Sequence, residues 1–298
     1  MIIFEKAHAK INLSLDVTGK RPNGYHEVRM IMQTLDLCDD LSFERLEEGK
    51  GIILATDSEV LNTEQNAGTD NLIIKAARLL EDHVGRMFDV KITLSKQIPI
   101  AAGLAGGSAD GAAALRGLNR LFDLGLSMEE LRKLSVKLGA DVPFCIEGGL
   151  CLSEGIGEIL TTLTPLPSHP TVICKPNIFV STRDVYTMYD SLKEPVHPDV
   201  DKMLKAIEKY DSITMTELLE NTLETVTKNL YPVIGEIEEC MEELGANKAI
   251  MSGSGPTVFG LFDSVKEADE AAKKLKEKYP EYDVHSTKFR NVKKNHFE

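Results

Sequence analysis

Apolar and polar residues alternate from Ile11 to Val17, with Ile11, Leu13, Leu15 and Val17 on one side and Asn12, Ser14 and Asp16 on the other. A period of two is that of a half-buried β-strand. Lys10 falls on the polar side with Asn12. Val28 to Leu37, Asp40 to Arg45, Gly51 to Ala55 and Val90 to Ser95 read as further strands. The period then lengthens. Leu72, Ile73, Ala76, Ala77, Leu80 and Val84 recur on one helical face and predict a helix over Asp70 to Val84. A second helix is expected over Gly107 to Phe122, where Ala109, Ala112, Ala113 and Ala114 allow close packing. Ser127-Met128-Glu129-Glu130 is a capping box for a third, which stops at Gly139. Several strands ahead of the helices indicate an α+β arrangement rather than a doubly wound α/β sheet.

Thr164 to Pro170 holds three prolines in seven residues, which breaks helix and strand alike. A domain boundary is expected there, giving an N-terminal mixed domain over 1–163 and a C-terminal domain over 164–298. The length of 298 residues suits about two domains. The second half reads as a strand over Thr171 to Lys175, then helices near Asp184 to Leu192, Pro198 to Lys209, Met215 to Lys228 and Pro232 to Leu244. Strands Lys248 to Met251 and Pro256 to Phe262, a helix over Val265 to Lys278 and a strand near Asp283 to Thr287 follow. Strands joined by crossing helices suggest a small ferredoxin-like sandwich.

Composition narrows the function. There are 47 Asp and Glu against 34 Lys and Arg, a formal charge of -13. Nucleic-acid binding needs clustered Lys and Arg to neutralise phosphates, so no nucleic-acid partner is expected. A small phosphorylated ligand needs only one local pocket of positive potential and stays open. No apolar run approaches the roughly 18 residues of a membrane span, and Met1-Ile2-Ile3-Phe4-Glu5-Lys6 is too charged for a signal-peptide core. The chain is expected to be cytoplasmic, without a membrane partner. Cys38, Cys145, Cys151, Cys174 and Cys240 are odd in number and form no C-x-x-C pair, so they read as reduced and mostly buried thiols. The seven histidines show no metal-ligand spacing, and no metal site built from protein ligands is expected.

The chemistry concentrates in a few segments. Pro99-Ile100-Ala101-Ala102-Gly103-Leu104-Ala105-Gly106-Gly107-Ser108-Ala109 follows a strand and opens a helix. Glycines admit a close ligand, and the free amides and dipole of a helix start favour an anion. The alternative is a glycine-rich turn before a tightly packed alanine helix. The loop is neither a Walker A sequence, since no Gly-Lys-Ser/Thr follows, nor a dinucleotide fingerprint. Ser252-Gly253-Ser254-Gly255-Pro256 is either a hairpin turn or a second loop over a ligand. Asp141, in Leu138-Gly139-Ala140-Asp141-Val142-Pro143-Phe144, reads as a helix N-cap or, beside a lysine, as a general base.

Taken in order, Lys10-Ile11-Asn12-Leu13, the glycine loop and Met251-Ser252-Gly253-Ser254-Gly255-Pro256 resemble the three motifs of the GHMP kinases, the family of galactokinase, homoserine kinase and mevalonate kinase. The resemblance runs over essentially the whole chain. Gly19-Lys20-Arg21-Pro22-Asn23-Gly24-Tyr25-His26 and the segment around Asp141 are similar to the branch whose alcohol acceptor carries a diphosphocytidyl group. The resemblance implies a two-domain GHMP kinase fold and transfer of the ATP γ-phosphoryl group to that alcohol, with Mg²⁺ carried in by the nucleotide. Lys10 and Asp141 would be catalytic and share one cleft, with Asp141 as the base. Asn12 would orient the acceptor hydroxyls, and the loop from Pro99 to Ala109 would wrap the phosphates. Asn71 and Lys96 would lie near the adenine. Tyr25 and Tyr186 would sandwich the cytosine, whose edge His26 would bind; ordinary half-buried packing is the other reading of both tyrosines. Two departures stand out: the family loop has two adjacent serines where this chain has Ser108-Ala109, and an alanine where it has Gly111. A small-molecule enzyme of this kind is expected to be a monomer or homodimer. The rival functions are another GHMP small-molecule kinase, of the homoserine or mevalonate type, and a nucleotide-binding regulator without turnover.

Overall fold

The computed structural model describes residues 1–58 and 71–292; Asp70, the expected start of the first helix, lies outside the described residues. The chain forms two compact units whose segments interleave: Met1–Ala9, Leu37–Ile100 and Ala105–Glu147 in the first, and Lys10–Asp36, Ala101–Leu104 and everything from Gly148 onward in the second. Two long strands, β1 (Ile2–Lys20) and β2 (His26–Arg45), each supply both units. The proline-rich stretch from Thr164 to Pro170 therefore sits inside the second unit. Prolines interrupt local structure, but compactness is decided by which segments pack together.

In the first unit β3 (Ile52–Thr56) runs parallel to β4 (Val90–Ser95), which pairs antiparallel with β2 over Asp40–Arg45. Between β3 and β4 lies α1 (Leu72–Val84). It starts where the Asn71 side chain accepts the Ile73 N–H and stops at left-handed Gly85. Next come α2 (Gly106–Leu121), α3 (Met128–Ser135) and α4 (Val142–Glu147). The capping box expected at Ser127 is present, with Ser127 and Glu130 bonded reciprocally. Phe43, Phe88, Ile92, Leu115 and Leu118 are fully buried at the core. Glycine sets how closely α2 lies on its neighbours. A Cβ at Gly117 would stand 2.4 Å from the Phe43 ring, and one at Gly111 would stand 3.3 Å from the Leu72 Cβ. Gly111 is thus a close-packing position against α1, which offsets its low helix propensity.

In the second unit β5 (Leu150–Glu154) pairs antiparallel with β2 over Met30–Gln33 and with β6 (Ile159–Thr162). A second sheet starts with β7 (Pro170–Lys175). The helices α5 (Thr182–Tyr189), α6 (Val200–Glu208) and α7 (Ser212–Glu217) follow, then β8 (Glu220–Asn221), α8 (Glu224–Leu230) and α9 (Val233–Glu243). The sheet is completed by β9 (Lys248–Met251), β10 (Val258–Leu261) and, after α10 (Val265–Lys278), β11 (Asp283–Lys288). Its order is β11-β7-β10-β9 with every pair antiparallel. The α9 and α10 helices close one core with it through Val172, Ile237, Met241, Ala271 and Leu275. This is the ferredoxin-like arrangement that the strand and helix order suggested.

The expected single helix over Met215 to Lys228 is corrected: the chain there is α7, the short β8 and α8. The break follows from competing hydrogen bonds. The Thr222 N–H goes to the Leu15 carbonyl, and Asn221 Oδ1 takes the Leu223 N–H, while β8 lies parallel to β1. The sequence pattern also left out α4, β5 and β6. All five cysteines are free and four are buried, the fifth being Cys145.

Candidate active site

Three sequence-distant segments of the second unit converge. The β1 strand lies between β2 and β8, so Lys10 is only 4% exposed rather than an edge residue. Its Nζ donates to Asn12 Oδ1 at 2.7 Å, as the shared side of the strand predicted. Asn12 is fully buried, and its Nδ2 is 3.3 Å from the Met30 sulfur. The Lys10 amide donates to the Leu104 carbonyl at 3.1 Å, which ties the strand to the glycine loop. The turn after β9 meets the same loop. Ser252 Oγ donates to the Gly103 carbonyl at 3.2 Å. Gly103 has φ +75°, and a Cβ there would stand 2.4 Å from the Ser252 carbonyl oxygen. Gly253 has φ +61°, and a Cβ there would stand 3.6 Å from Asn12 Oδ1. These glycines are therefore required by loop-to-loop packing around the Lys10–Asn12 pair.

The same unit holds the Gly-Tyr-His segment. Gly24 at φ +88° makes the turn, closed by the Arg21 N–H to the Tyr25 carbonyl at 2.7 Å. Tyr25 is 59% exposed. His26 Nε2 meets Asp190 Oδ1 at 2.7 Å. Its ring centroid lies 4.7 Å from that of Tyr186, tilted by 31°. The Tyr189 ring stands edge-on to His26 at 6.5 Å. Hydrogen bonds from Lys20 and His26 hold the Asp190 carboxyl below the usual carboxylate range. His26 and Tyr186 are thus brought together, while Tyr25 stands apart as an exposed ring. Sequence reasoning missed Asp190. Its only signal was its place one turn after Tyr186 on the same helix, and no local pattern points from there to His26.

In the first unit the loop runs into α2. Ala105 is left-handed at φ +56°, and α2 starts with neither a side-chain cap nor an acidic residue in its first turn. α1, α3, α5, α6, α7 and α10 are each capped by a side chain, whereas α8 and α9, like α2, are not. The free amides and dipole of a helix start favour an anion. A Cβ at Gly107 would touch only Leu72 Cδ1, at 3.8 Å, so packing does not require glycine there. Ala102, Leu104 and Ala109 are buried and can meet a ligand only through backbone. For Ala109 this means that its methyl belongs to the core of the unit. Pro99 is also buried, whereas Ile100 and Ala101 are exposed.

The two residues carried toward the adenine are otherwise engaged. Asn71 Oδ1 caps α1. The Lys96 ammonium sits between Asp39 Oδ2 at 2.5 Å and Asp110 Oδ2 at 3.0 Å. Asp39 Oδ1 takes the amides of Gln97 and Ile98, so the pair also shapes the approach to the loop. Burial pushes the Asp110 carboxyl up to about 8, against the pull of Lys96. Asp141 precedes α4 and is half-buried, and its carbonyl accepts the Cys145 N–H at 3.1 Å. It therefore occupies the N-cap position, a role that uses its backbone oxygen. Lys10 belongs to the second unit and Asp141 to the first. Among the described residues no group of three or more His, Cys, Asp or Glu is placed to hold a metal ion, and no helix is long and apolar enough to cross a membrane.

This fold, with its interlocked loops, defines an ATP-dependent small-molecule kinase of the GHMP type: residues 71–149 match the family model of the GHMP kinases N terminal domain, and residues 203–281 that of the GHMP kinases C terminal domain. The chain is 48% identical over 270 residues to the 4-diphosphocytidyl-2-C-methyl-D-erythritol kinase of Lachnoclostridium phytofermentans, covering 91% of each chain. It is also 48% identical over 271 residues to the enzyme of the same name from Caldicellulosiruptor saccharolyticus, covering 91% of this chain and 92% of that one. A crystal structure of 4-(cytidine 5'-diphospho)-2C-methyl-D-erythritol kinase superposes with a TM-score of 0.81 at 31% identity, over 97% of this chain and 100% of that one. The chain belongs to the 4-diphosphocytidyl-2-C-methyl-D-erythritol kinase family of GHMP kinases.

Proposed function

We propose that the chain transfers the γ-phosphoryl group of ATP to the 2-hydroxyl of 4-diphosphocytidyl-2-C-methyl-D-erythritol, in non-mevalonate isoprenoid precursor synthesis in the cytoplasm, as a monomer or homodimer. The observation that carries the reading is the buried Lys10–Asn12 pair, built against both the 101–104 loop and the 252–255 turn. In this reading the Lys10 ammonium stabilises negative charge that develops during the reaction.

Phosphoryl transfer has a loose transition state, so positioning and charge stabilisation dominate. In this reading Asp141 accepts the proton of the acceptor hydroxyl, a step typically worth about 10²–10⁴-fold in rate. Lys10 lowers the charge cost of the nascent alkoxide, and Asn12 orients the hydroxyls. The uncapped start of α2, with Gly106, Gly107 and Ser108, suits the nucleotide phosphates. Mg²⁺, bound to the nucleotide, supplies further neutralisation of phosphate charge. Stacking on Tyr25 and Tyr186, with His26 at the base edge, selects the cytidyl end.

The test is ADP release from ATP with the diphosphocytidyl alcohol, beside homoserine, mevalonate and other small alcohols. Release with the cytidyl alcohol alone is expected. Release with homoserine or mevalonate instead, or tight ATP binding with no release on any acceptor, would overturn the reading.

A further inference from the structure

The 252–255 turn touches both Asn12 and Gly103, yet few bonds within it hold its shape. The Gly255 N–H reaches the Ser252 carbonyl, and the Ser252 N–H reaches the Thr257 carbonyl. The Ser252 hydroxyl reaches Gly103 and the Ser254 hydroxyl meets that of Thr182 at 2.8 Å, and further support comes from a segment that no motif covers. Asn221 is 3% exposed, and its Nδ2 donates to the Met251 carbonyl at 2.9 Å and to the Gly253 carbonyl at 2.8 Å. Its Oδ1 accepts the Leu223 N–H at 3.0 Å, which fixes which way the amide faces. Glu224 Oε1 accepts the Met251 N–H at 3.2 Å. The Thr227 hydroxyl, with one proton to give, lies 3.3 Å from the Leu223 carbonyl and 3.4 Å from the Ser254 carbonyl, a weaker contact.

We propose that Asn221 is a positioning residue for phosphoryl transfer: its amide clamps the carbonyls on either side of Ser252 and so holds the turn against Gly103 and Asn12. The reason for asparagine is chemical. Two carbonyl oxygens converge on one point, and only a group with two N–H donors satisfies both. A backbone carbonyl left without its donor in this buried place would shift to find another partner. Any shift is passed on directly, because Ser252 Oγ holds Gly103 and a Gly253 Cβ would stand 3.6 Å from Asn12. A misplacement of about 1 Å at a distance from the chemistry can cost about 10²-fold in rate. The inference rests on the kinase reading above.

Its test compares Asn221→Ala and Asn221→Asp with the wild-type chain. Asn221→Asp keeps the shape but turns a donor toward neither carbonyl. The expected kcat falls by about 10-fold for Asn221→Ala and about 10²-fold for Asn221→Asp, while equilibrium ATP binding changes by less than about threefold. Melting midpoints confirm that the variants are folded at the assay temperature. Thr227→Val, a milder isosteric change at the same turn, lowers kcat by about threefold and carries the test if the Asn221 variants do not fold. Asn247→Ala, at an exposed side chain whose Nδ2 donates to Asp263 Oδ1, stays at the wild-type rate. A kcat within about twofold of wild type in the folded variants, or a loss no larger than their unfolded fraction, overturns the proposal. Ratios are taken on whichever acceptor the wild type turns over. A wild-type chain inactive on the cytidyl alcohol but active on another acceptor therefore contradicts the function reading and leaves this test intact.

Discussion

Asp39 and Asp110 share one ammonium, that of Lys96, in a place nearly closed to water. Two carboxylates and one cation leave an excess negative charge, and Asp110, whose Oδ1 is buried without a partner, is the one that keeps its proton. Its carboxyl ionises near 3.9 in an unfolded chain but at about 8 in the folded one. Between those values the folded state binds the extra proton, so this group's contribution to stability falls as pH rises from about 4 to about 8. Asp110→Asn removes that loss, and its melting midpoint should fall less than that of wild type between about pH 5.5 and pH 8. Parallel declines would place the proton elsewhere. The exposed Tyr25 ring, proposed to stack on the cytosine, is the side chain best placed to be lost without harm to the fold. Tyr25→Ala is expected to raise KM for the cytidyl alcohol by about tenfold, since base stacking is worth about 1–3 kcal/mol, and to leave KM for ATP unchanged. A shift in KM for ATP instead would reverse the assignment of the two ends. Lys10 and Asn12 were legible from alternation, which put them on one side of β1. Asp190 was not, because its contact with His26 spans 164 positions.

A clear period or cap marked an element without always giving its ends: the alternating Ile11–Val17 is only part of β1, and the capped α3 ends at Ser135, short of Gly139. Val90–Ser95, Lys248–Met251 and Val265–Lys278 lie where the pattern put them. The six-residue α4 and the two-residue β8 have no room for a period, and β8 exists only because β1 offers it a partner. The start of α2 separates two uses of glycine that sequence alone merges. Gly103 is demanded by packing on Ser252, whereas Gly107 has space for a methyl group. Gly107→Ala should therefore leave the melting midpoint unchanged or raise it, since alanine is favoured over glycine by about 1 kcal/mol in a helix. If the start of α2 binds the nucleotide phosphates as proposed, it should also raise KM for ATP by about tenfold or more, because the methyl would crowd the amides. Unaltered ATP kinetics would remove this helix start from the nucleotide site.

At the scale of the molecule, the order of the motifs revealed the family, but the grouping of segments was hidden. A linear reading cuts the chain once near residue 164, while the packing threads it between units through β1, β2 and the 101–104 loop. Strand ends give no local sign that they serve two cores. In the proposed reaction Asp141 takes the proton of the acceptor hydroxyl. Turnover of Asp141→Asn with ATP and the diphosphocytidyl alcohol, read beside its equilibrium ATP binding, tests that assignment most directly. The account predicts a kcat lowered by about 10² or more with ATP still bound as tightly as by wild type. Turnover at the wild-type rate would contradict it.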